Sequence, residues 1–354
     1  MDDDDYEEGD TPLHTACRKR DSELANKLIL GGANLHEVNI NKETPLHIAC
    51  ENGNLETVKM LLSHGADLNV LTVSNETPLY LACMVDFDDS TMYHNGEPTM
   101  YGNRNYIGIV KEILNTPTGM LSINTPNIHG ETPLHLACDD MYLDIIKEFL
   151  DKGANLNVTD SKGETPLHRI CYNVETSSRY YKIVIDLLLE KGADPNIIAN
   201  NGWNALFAFI KSIINDDCCI LHDYYDGDIP KICQNLITYG ADPNIVDDKG
   251  HTMLHECALN GYCKSDYEQL TEELLIGGAD PDITDNRNKT PLFYATSSFG
   301  SREVEIKLLK GGATPCAGVA KFNYFPPLKI LCLRLVRKCK IDITKIPRAL
   351  FLDT

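Results

Sequence analysis

The sequence predicts an all-α solenoid of about eight helix-turn-helix repeats, because one short motif recurs at a fixed spacing. The motif Thr-Pro-Leu-His, intact or altered, begins at Thr11, Thr44, Thr77, Thr132, Thr165, Asn204, Thr252 and Thr290. Three of the gaps between neighbouring starts are 33 residues, a period typical of helical-repeat solenoids. The hydrophobic fraction of 43% fits a packed interior, and stacking allows 354 residues to form one array.

Each motif predicts the start of a helix, because Thr is a favoured N-cap and Pro fits the first turn. In the second repeat two apolar stripes at helical spacing predict two short helices. The stripes are Leu46, Ala49 and Cys50, followed by Leu55, Val58, Leu61 and Leu62. The second helix is predicted to end at Gly65, since glycine adopts the left-handed C-cap conformation. A polar finger, resembling a β-hairpin and spanning residues 67–76, then leads to the next motif.

Four repeats are longer than the others. The third, fifth, sixth and seventh carry 22, 6, 15 and 5 extra residues, and all of these are predicted to lie between the two helices of a repeat. The longest insertions lie around residues 86–105 and 216–228. Insertions on one edge either form a binding face or are tolerated surface loops, and the sequence leaves both open.

These motifs resemble the ankyrin-repeat family, from about Thr11 to Thr314. The resemblance implies protein binding by the fingers and inner helices, so exposed aromatic residues are candidate anchors for a substrate protein. Trp203 stands immediately before a motif, where four other repeats have Glu, and it either anchors a partner or fills space beside the altered motif. Tyr224 and Tyr225, in the sixth-repeat insertion, are further candidates for substrate binding.

The charge of the chain limits its partners. Its formal net charge is -20, with 52 acidic and 32 basic residues, which argues against nucleic acid or an anionic membrane and favours basic protein partners. No stretch approaches the roughly 18 apolar residues of a membrane span, and the acidic N-terminus does not resemble a signal peptide. A cytoplasmic location, extending to the nucleus, is therefore expected.

The cysteines and histidines of the motifs are predicted to be structural. The chain has 13 cysteines, an odd number, and five share one position of the first helix, where Cys acts as a small buried hydrophobe: Cys17, Cys50, Cys83, Cys138 and Cys171. Four motifs have His-x-x-Cys spacing, but each pair belongs to a different repeat, so no metal and no cofactor are predicted. The chain also has no nucleotide-binding loop and no hydrolase or metalloprotease motif, which indicates a non-catalytic protein.

The tail after the repeats differs in composition, with eight basic and two acidic residues from Ala317 to Thr354. An apolar stripe at helical spacing is formed by Leu328, Leu331, Cys332, Leu335, Val336 and Cys339. This stripe resembles the elongin-binding box of the SOCS-box family, and residues 346–350 resemble the cullin-binding half of that module. The resemblance implies binding of elongin B and elongin C by Leu328, Leu331, Cys332, Leu335 and Val336, and of a cullin by Ile346, Pro347 and Leu350. Cullin five with a RING protein is expected, although Ala349 stands where the family has a second Pro.

The chain is thus similar to the ankyrin-repeat and SOCS-box family, whose members are substrate receptors of cullin-RING ubiquitin ligases. Three segments are predicted: an acidic N-terminal segment at 1–10, an array at 11–316 and a SOCS-box-like module at 317–354. An alternative stays open, because Pro327 to Cys332 also reads as an altered repeat motif. The tail would then be a capping repeat, and the protein a scaffold or inhibitor that binds a basic signalling partner.

Overall fold

The computed structural model describes residues 9–84, 105–172, 180–215, 228–260, 266–297 and 301–315. Its residues form two compact units, Met1–Ser161 and Lys162–Thr354. In the first unit the helices are α1 (Pro12–Arg18), α2 (Ser22–Leu30), α3 (Pro45–Glu51), α4 (Leu55–Ser63), α5 (Pro78–Leu81), α6 (Tyr106–Leu114), α7 (Pro133–Asp139) and α8 (Leu143–Asp151). In the second unit they are α9 (Pro166–Tyr172), α10 (Tyr180–Glu190), α11 (Ala205–Asn215), α12 (Asp228–Thr238), α13 (Met253–Asn260), α14 (Asp266–Ile276), α15 (Pro291–Ala295) and α16 (Arg302–Lys310).

These helices form eight successive pairs, one for each motif, so the predicted all-α repeat fold is confirmed. The Thr of the motif caps the first helix as expected. Thr44, for example, has extended backbone angles, and its hydroxyl accepts a hydrogen bond from the N–H of His47. At the other end of the pair, Gly65 has a φ of +86°, the left-handed conformation expected after a helix.

The core lies between the stacked helices. Leu46, Ala49 and Cys50 of the first predicted stripe and Val58 and Leu61 of the second have no exposed surface. Leu55 and Leu62 of the second stripe are half-buried. The motif cysteines in the described ranges are buried free thiols. Burial raises the pKa of the Cys50 thiol well above its usual value, so this side chain behaves as a hydrophobic residue.

The fingers are hairpin-like turns, and the described residues contain no β-strand. In the third finger the N–H of Thr72 donates to the carbonyl of Glu76 (3.1 Å), and the N–H of Val73 donates to the carbonyl of Asn41 in the finger before (2.9 Å). The Thr72 hydroxyl also accepts hydrogen bonds from the N–H groups of Ser74 and Glu76. Asn39, Asn127, Asp247 and Asp285 close their fingers in the same way through one side-chain oxygen.

In the fifth, sixth and seventh repeats the second helix ends 14 positions before the next motif, so the extra residues precede the end of the second helix. Some of them, however, lengthen the helices rather than the loop between them. The second helices α10, α12 and α14 have 11 residues, whereas α2, α4 and α8 have nine. For the third repeat part of the prediction was wrong. In the third repeat α6 ends 18 positions before Thr132, so four of the extra residues follow the second helix. A 3-10 helix, Gly119–Asn124, occupies this segment because the Gly-Ala pair that ends the other repeats is missing.

No helix in the described part of the chain is long and apolar enough to cross a lipid bilayer.

Where the motif has a histidine, this buried side chain contacts the backbone of the next finger, as His14, His47, His168 and His255 do. The Nδ1 atom of His47 accepts from the N–H of Thr44 (3.1 Å), so its Nε2 carries the proton and faces the carbonyls of Val70 (3.1 Å) and Glu76 (3.3 Å). Burial lowers the pKa of His47 from 6.5 to about 4 despite these backbone contacts. The neutral ring is therefore the form that the fold requires.

Replacing His47 tests the contribution of its ring hydrogen bonds to stability. The variant His47→Phe keeps an aromatic ring of the kind found at Phe207 and Phe293 but loses both hydrogen bonds, and should lower the free energy of unfolding at pH 7 by about 1–3 kcal/mol. The deficit should shrink as the pH falls from about 6.5 towards 4, because in wild type only the unfolded chain gains the proton in that range. Urea unfolding at several pH values measures both effects. His64→Phe, at an exposed position, is the matched control, and an equal loss there would contradict the assignment.

Candidate protein-binding surface

The residue immediately before each motif, termed here the pre-motif position, lies between a finger and a first helix. Most of these residues are half-buried, and the Asp10 side chain is fully buried. In chain order they are Asp10, Glu43, Glu76, Glu131, Glu164, Trp203, His251 and Lys289. The position is therefore acidic in five repeats and changes chemistry in the last three.

In the first unit the pre-motif carboxylates are held by the fingers. The Oε2 atom of each glutamate accepts a hydrogen bond from the side chain four positions earlier. The donor–acceptor distances are 2.7 Å for Asn39 and Glu43, 2.9 Å for Thr72 and Glu76, and 2.9 Å for Asn127 and Glu131. The same side chain thus closes the finger and orients the acid, which gives a row of carboxylates on a fixed backbone.

Arg18, near the end of α1, balances part of this charge. Its Nε lies 3.2 Å from the Asp10 carboxylate and its Nη2 lies 3.8 Å from the Glu43 carboxylate. In the second unit Arg169 pairs with Glu164 in a similar way, at 3.3 Å. These partly buried ion pairs fix individual acids, and the chain as a whole keeps its strongly negative charge.

Trp203 gives the sixth repeat an aromatic surface. Its ring stacks on Phe207 with the centroids 5.3 Å apart, and Tyr172 lies 6.1 Å away on the preceding first helix. Ala199 stands where other fingers have a polar residue, and the Oδ1 of Asn201 accepts from the N–H of Trp203 (3.0 Å) instead. Trp203 therefore covers the altered motif and stays half-exposed, which combines the two readings that the sequence left open. Its contact with a partner stays a prediction, and Tyr224 and Tyr225 lie outside the described residues.

A cluster of charged groups surrounds the pre-motif residue of the seventh repeat. His251 lies 3.3 Å from Glu256 through Nδ1 and 3.5 Å from Asp285 through Nε2, and Lys211 pairs with the other oxygen of Glu256 at 2.8 Å. Asp247, His251 and Glu256 are metal-ligating residue types with ligand atoms within 4.8 Å of one another. Lys211 pairs with Glu256, and His251 contacts both Glu256 and Asp285, so the cluster forms a polar network across three repeats.

This cluster and the finger-closing residues were not predicted from the sequence. The cluster combines side chains of a first helix, a pre-motif position and the next finger. These residues are far apart in the sequence and come together only when the repeats stack. The finger-closing residues had a signal, because Asn, Thr or Asp stands five positions before most motif starts. Those residue types accept hydrogen bonds from nearby backbone N–H groups.

In each unit, stacked helix pairs joined by hairpin-like fingers are typical of a helical-repeat protein. A family model described as ankyrin repeats matches this chain in three copies, at residues 13–90, 100–199 and 221–317. These matches cover most of the sequence. The chain belongs to the ankyrin-repeat family, and its array is a protein-binding domain.

Two curated relatives are similar over shorter stretches. The E3 ubiquitin-protein ligase KEG of Arabidopsis thaliana is 27% identical over 134 residues, which are 38% of this chain and 7% of KEG. The tyrosine-protein kinase HTK16 of Hydra vulgaris is 27% identical over 132 residues, which are 34% of this chain and 17% of the kinase. The chain thus matches less than a fifth of either relative. Among solved structures, the ankyrin repeat protein EF0377 is 23% identical with a TM-score of 0.49, and the match covers 66% of this chain and all of EF0377.

The aromatic surface can be tested directly, since Trp203 is the only tryptophan. Removing the neighbouring ring with Tyr172→Ala should increase the quenching of Trp203 fluorescence by acrylamide, because one side of the indole then becomes open to solvent. Tyr239→Ala, at an exposed position in the same unit, is the control and should leave quenching unchanged. Equal quenching in wild type and Tyr172→Ala would show that Tyr172 does not cover the indole.

Proposed function

We propose that the protein is a non-catalytic adaptor of a ubiquitin ligase, in which the array binds a target protein and the tail binds elongin B and elongin C. The observation that supports target binding is the row of oriented carboxylates on fingers joined by backbone hydrogen bonds. A surface ordered before binding loses little conformational entropy when a partner docks. The partner it favours is a protein with basic groups.

The chemistry of the described residues supports an adaptor rather than an enzyme. A thiol that carries a transferred group must be an accessible thiolate. Burial raises the pKa of Cys17 to about 12 and raises the pKa of Cys50 well above its usual value, so neither thiol is a nucleophile. The motif histidine His47 uses both ring nitrogens in backbone contacts. The protein would act by holding a target close to an enzyme that carries ubiquitin, which raises the effective concentration of the target.

The sequence of the tail supports the proposed binding of elongins and a cullin. The tail lies outside the described residues. The proposed elongin contacts are Leu328, Leu331, Cys332, Leu335 and Val336, and the proposed cullin contacts are Ile346, Pro347 and Leu350. The similarity to KEG, whose name is that of an E3 ubiquitin-protein ligase, is compatible with the same pathway but covers 7% of that protein. Cullin five with a RING protein is the proposed further partner, in the cytoplasm or the nucleus.

Co-purification of the full chain with elongin B and elongin C tests this proposal. Wild type should form a stoichiometric complex, and the double variant Leu328→Arg, Cys332→Asp should lose it, because charge is placed on the predicted apolar stripe of the tail. Leu121→Arg places the same charge on a leucine that is 71% exposed in the first unit, and this control should retain the complex. Circular dichroism confirms that all variants are folded. Absence of a complex with wild type at micromolar concentrations would overturn the ligase assignment.

Truncation after Phe325 separates the adaptor from a scaffold with a capping repeat. If the tail is a separate module, the shortened chain should stay soluble and unfold at the same temperature as the full chain. Loss of a true cap would expose an apolar helix surface and cause aggregation. Light scattering during thermal unfolding measures the difference, and aggregation would favour the scaffold.

A further inference from the structure

Three consecutive fingers of the first unit have an exposed apolar residue near the tip. The residue four positions before the motif start, termed here the fingertip position, is Ile40, Val73 and Ile128 in the second, third and fourth repeats. These side chains are 59%, 55% and 55% exposed. In the following repeats the same position holds Ser161, Asn200, Asp248 and Asn286. The repeat fold therefore does not require an apolar fingertip, and its presence in three neighbours calls for another explanation.

Backbone hydrogen bonds place these fingertips side by side. The N–H of Val73 donates to the carbonyl of Asn41, next to Ile40, and the N–H of Ile128 donates to the carbonyl of Ser74, next to Val73, both at 2.9 Å. The three side chains thus form one continuous row. Val38 and Leu71, two positions earlier in their fingers, are also exposed, at 44% and 38%. Contiguous exposed apolar residues on a fixed backbone are typical of a protein-binding site.

Carboxylates accompany this row. Glu43, Glu76 and Glu131 follow the three fingertip residues by three positions in the same fingers, and each is held through its Oε2 atom. Arg18 lies near Glu43, while Glu76 has no ion-pair partner among the described residues. Acidic and apolar groups side by side exclude a nucleic acid and match a protein segment that carries both apolar and basic side chains.

We propose that the fingertip row and its carboxylates bind a segment of the target protein in polyproline II conformation, in which apolar residues are separated by Lys or Arg. Packed helices lie about 8–10 Å apart. A polyproline II chain has three residues per turn and rises about 3.1 Å per residue, so side chains three positions apart share one face at a matching spacing. The apolar residues of the segment would therefore recur at every third position, with basic residues between them. This inference rests on the target-binding half of the proposed function and is independent of the tail.

A selection from a random peptide library displayed on phage, with the full chain as bait, tests the chemistry of this segment. The enriched peptides should combine Leu, Ile, Val or Phe with Lys or Arg. One enriched peptide, synthesised with a fluorescent label, then gives affinities by anisotropy. The triple variant Ile40→Ser, Val73→Ser, Ile128→Ser should weaken binding about tenfold or more, because it removes three neighbouring apolar anchors. These sites are exposed, so the fold should be retained.

Two further variants make the test specific. The control Ile198→Ser, Val246→Ser changes apolar finger residues of the second unit that are 46% and 41% exposed, and should leave the affinity unchanged. The variant Glu43→Gln, Glu76→Gln, Glu131→Gln keeps an oxygen acceptor in each side chain but removes the charge. It should weaken binding and reduce the dependence of affinity on salt.

Selection of acidic or purely polar peptides, or of none, would overturn the inference. Undiminished affinity in the fingertip variant, or an equal loss in the control variant, would do the same. Failure of the ligase assignment is distinguishable, because the fingertip variant should still co-purify with elongin B and elongin C. If wild type bound the peptide but not elongin B and elongin C, only the proposed role of the tail would be overturned.

Discussion

The hydrogen bond between a buried motif histidine and the backbone of the next finger is the interaction on which the rest of the structure depends. His14 and His47 contact the carbonyls of Glu43 and Glu76 in this way, at 3.0 and 3.3 Å. Each ring also accepts from the N–H of its own capping Thr, so one side chain joins a helix start to the following repeat. Tyr80 takes over this task in the third repeat, since its hydroxyl contacts Asn127 and Glu131 of the next finger.

Because buried side chains fix the backbone of the fingers, exposed positions are free to vary. The pre-motif position is Glu76 in one repeat, Trp203 in another and His251 in a third, on the same local framework. Partner choice is therefore expected to reside in these substitutions and at the fingertips, while the buried residues set only the stacking. A common fold thus carries a surface specific to this chain.

The sequence predicted the helices because their signals are local: Thr-Pro caps, apolar stripes and Gly65 act within one repeat. It placed part of the third-repeat insertion wrongly, because α6 ends early and a 3-10 helix follows where no glycine stops the chain. The aromatic stack of Trp203 and the network around His251 depend on contacts between repeats, which periodicity does not reveal. The fingertip row had a sequence signal, but exposure and the ladder of backbone bonds were needed to recognise it.

Hydrogen–deuterium exchange of the full chain, with and without elongin B and elongin C, tests most directly whether the array and the tail have separate binding roles. An adaptor predicts slower exchange within residues 317–354 when elongins are added. The fingers around Ile40, Val73 and Ile128 should exchange at unchanged rates, since they stay available to a target. Slower exchange in the fingers with none in the tail would contradict this division and assign elongin binding, if any, to the array.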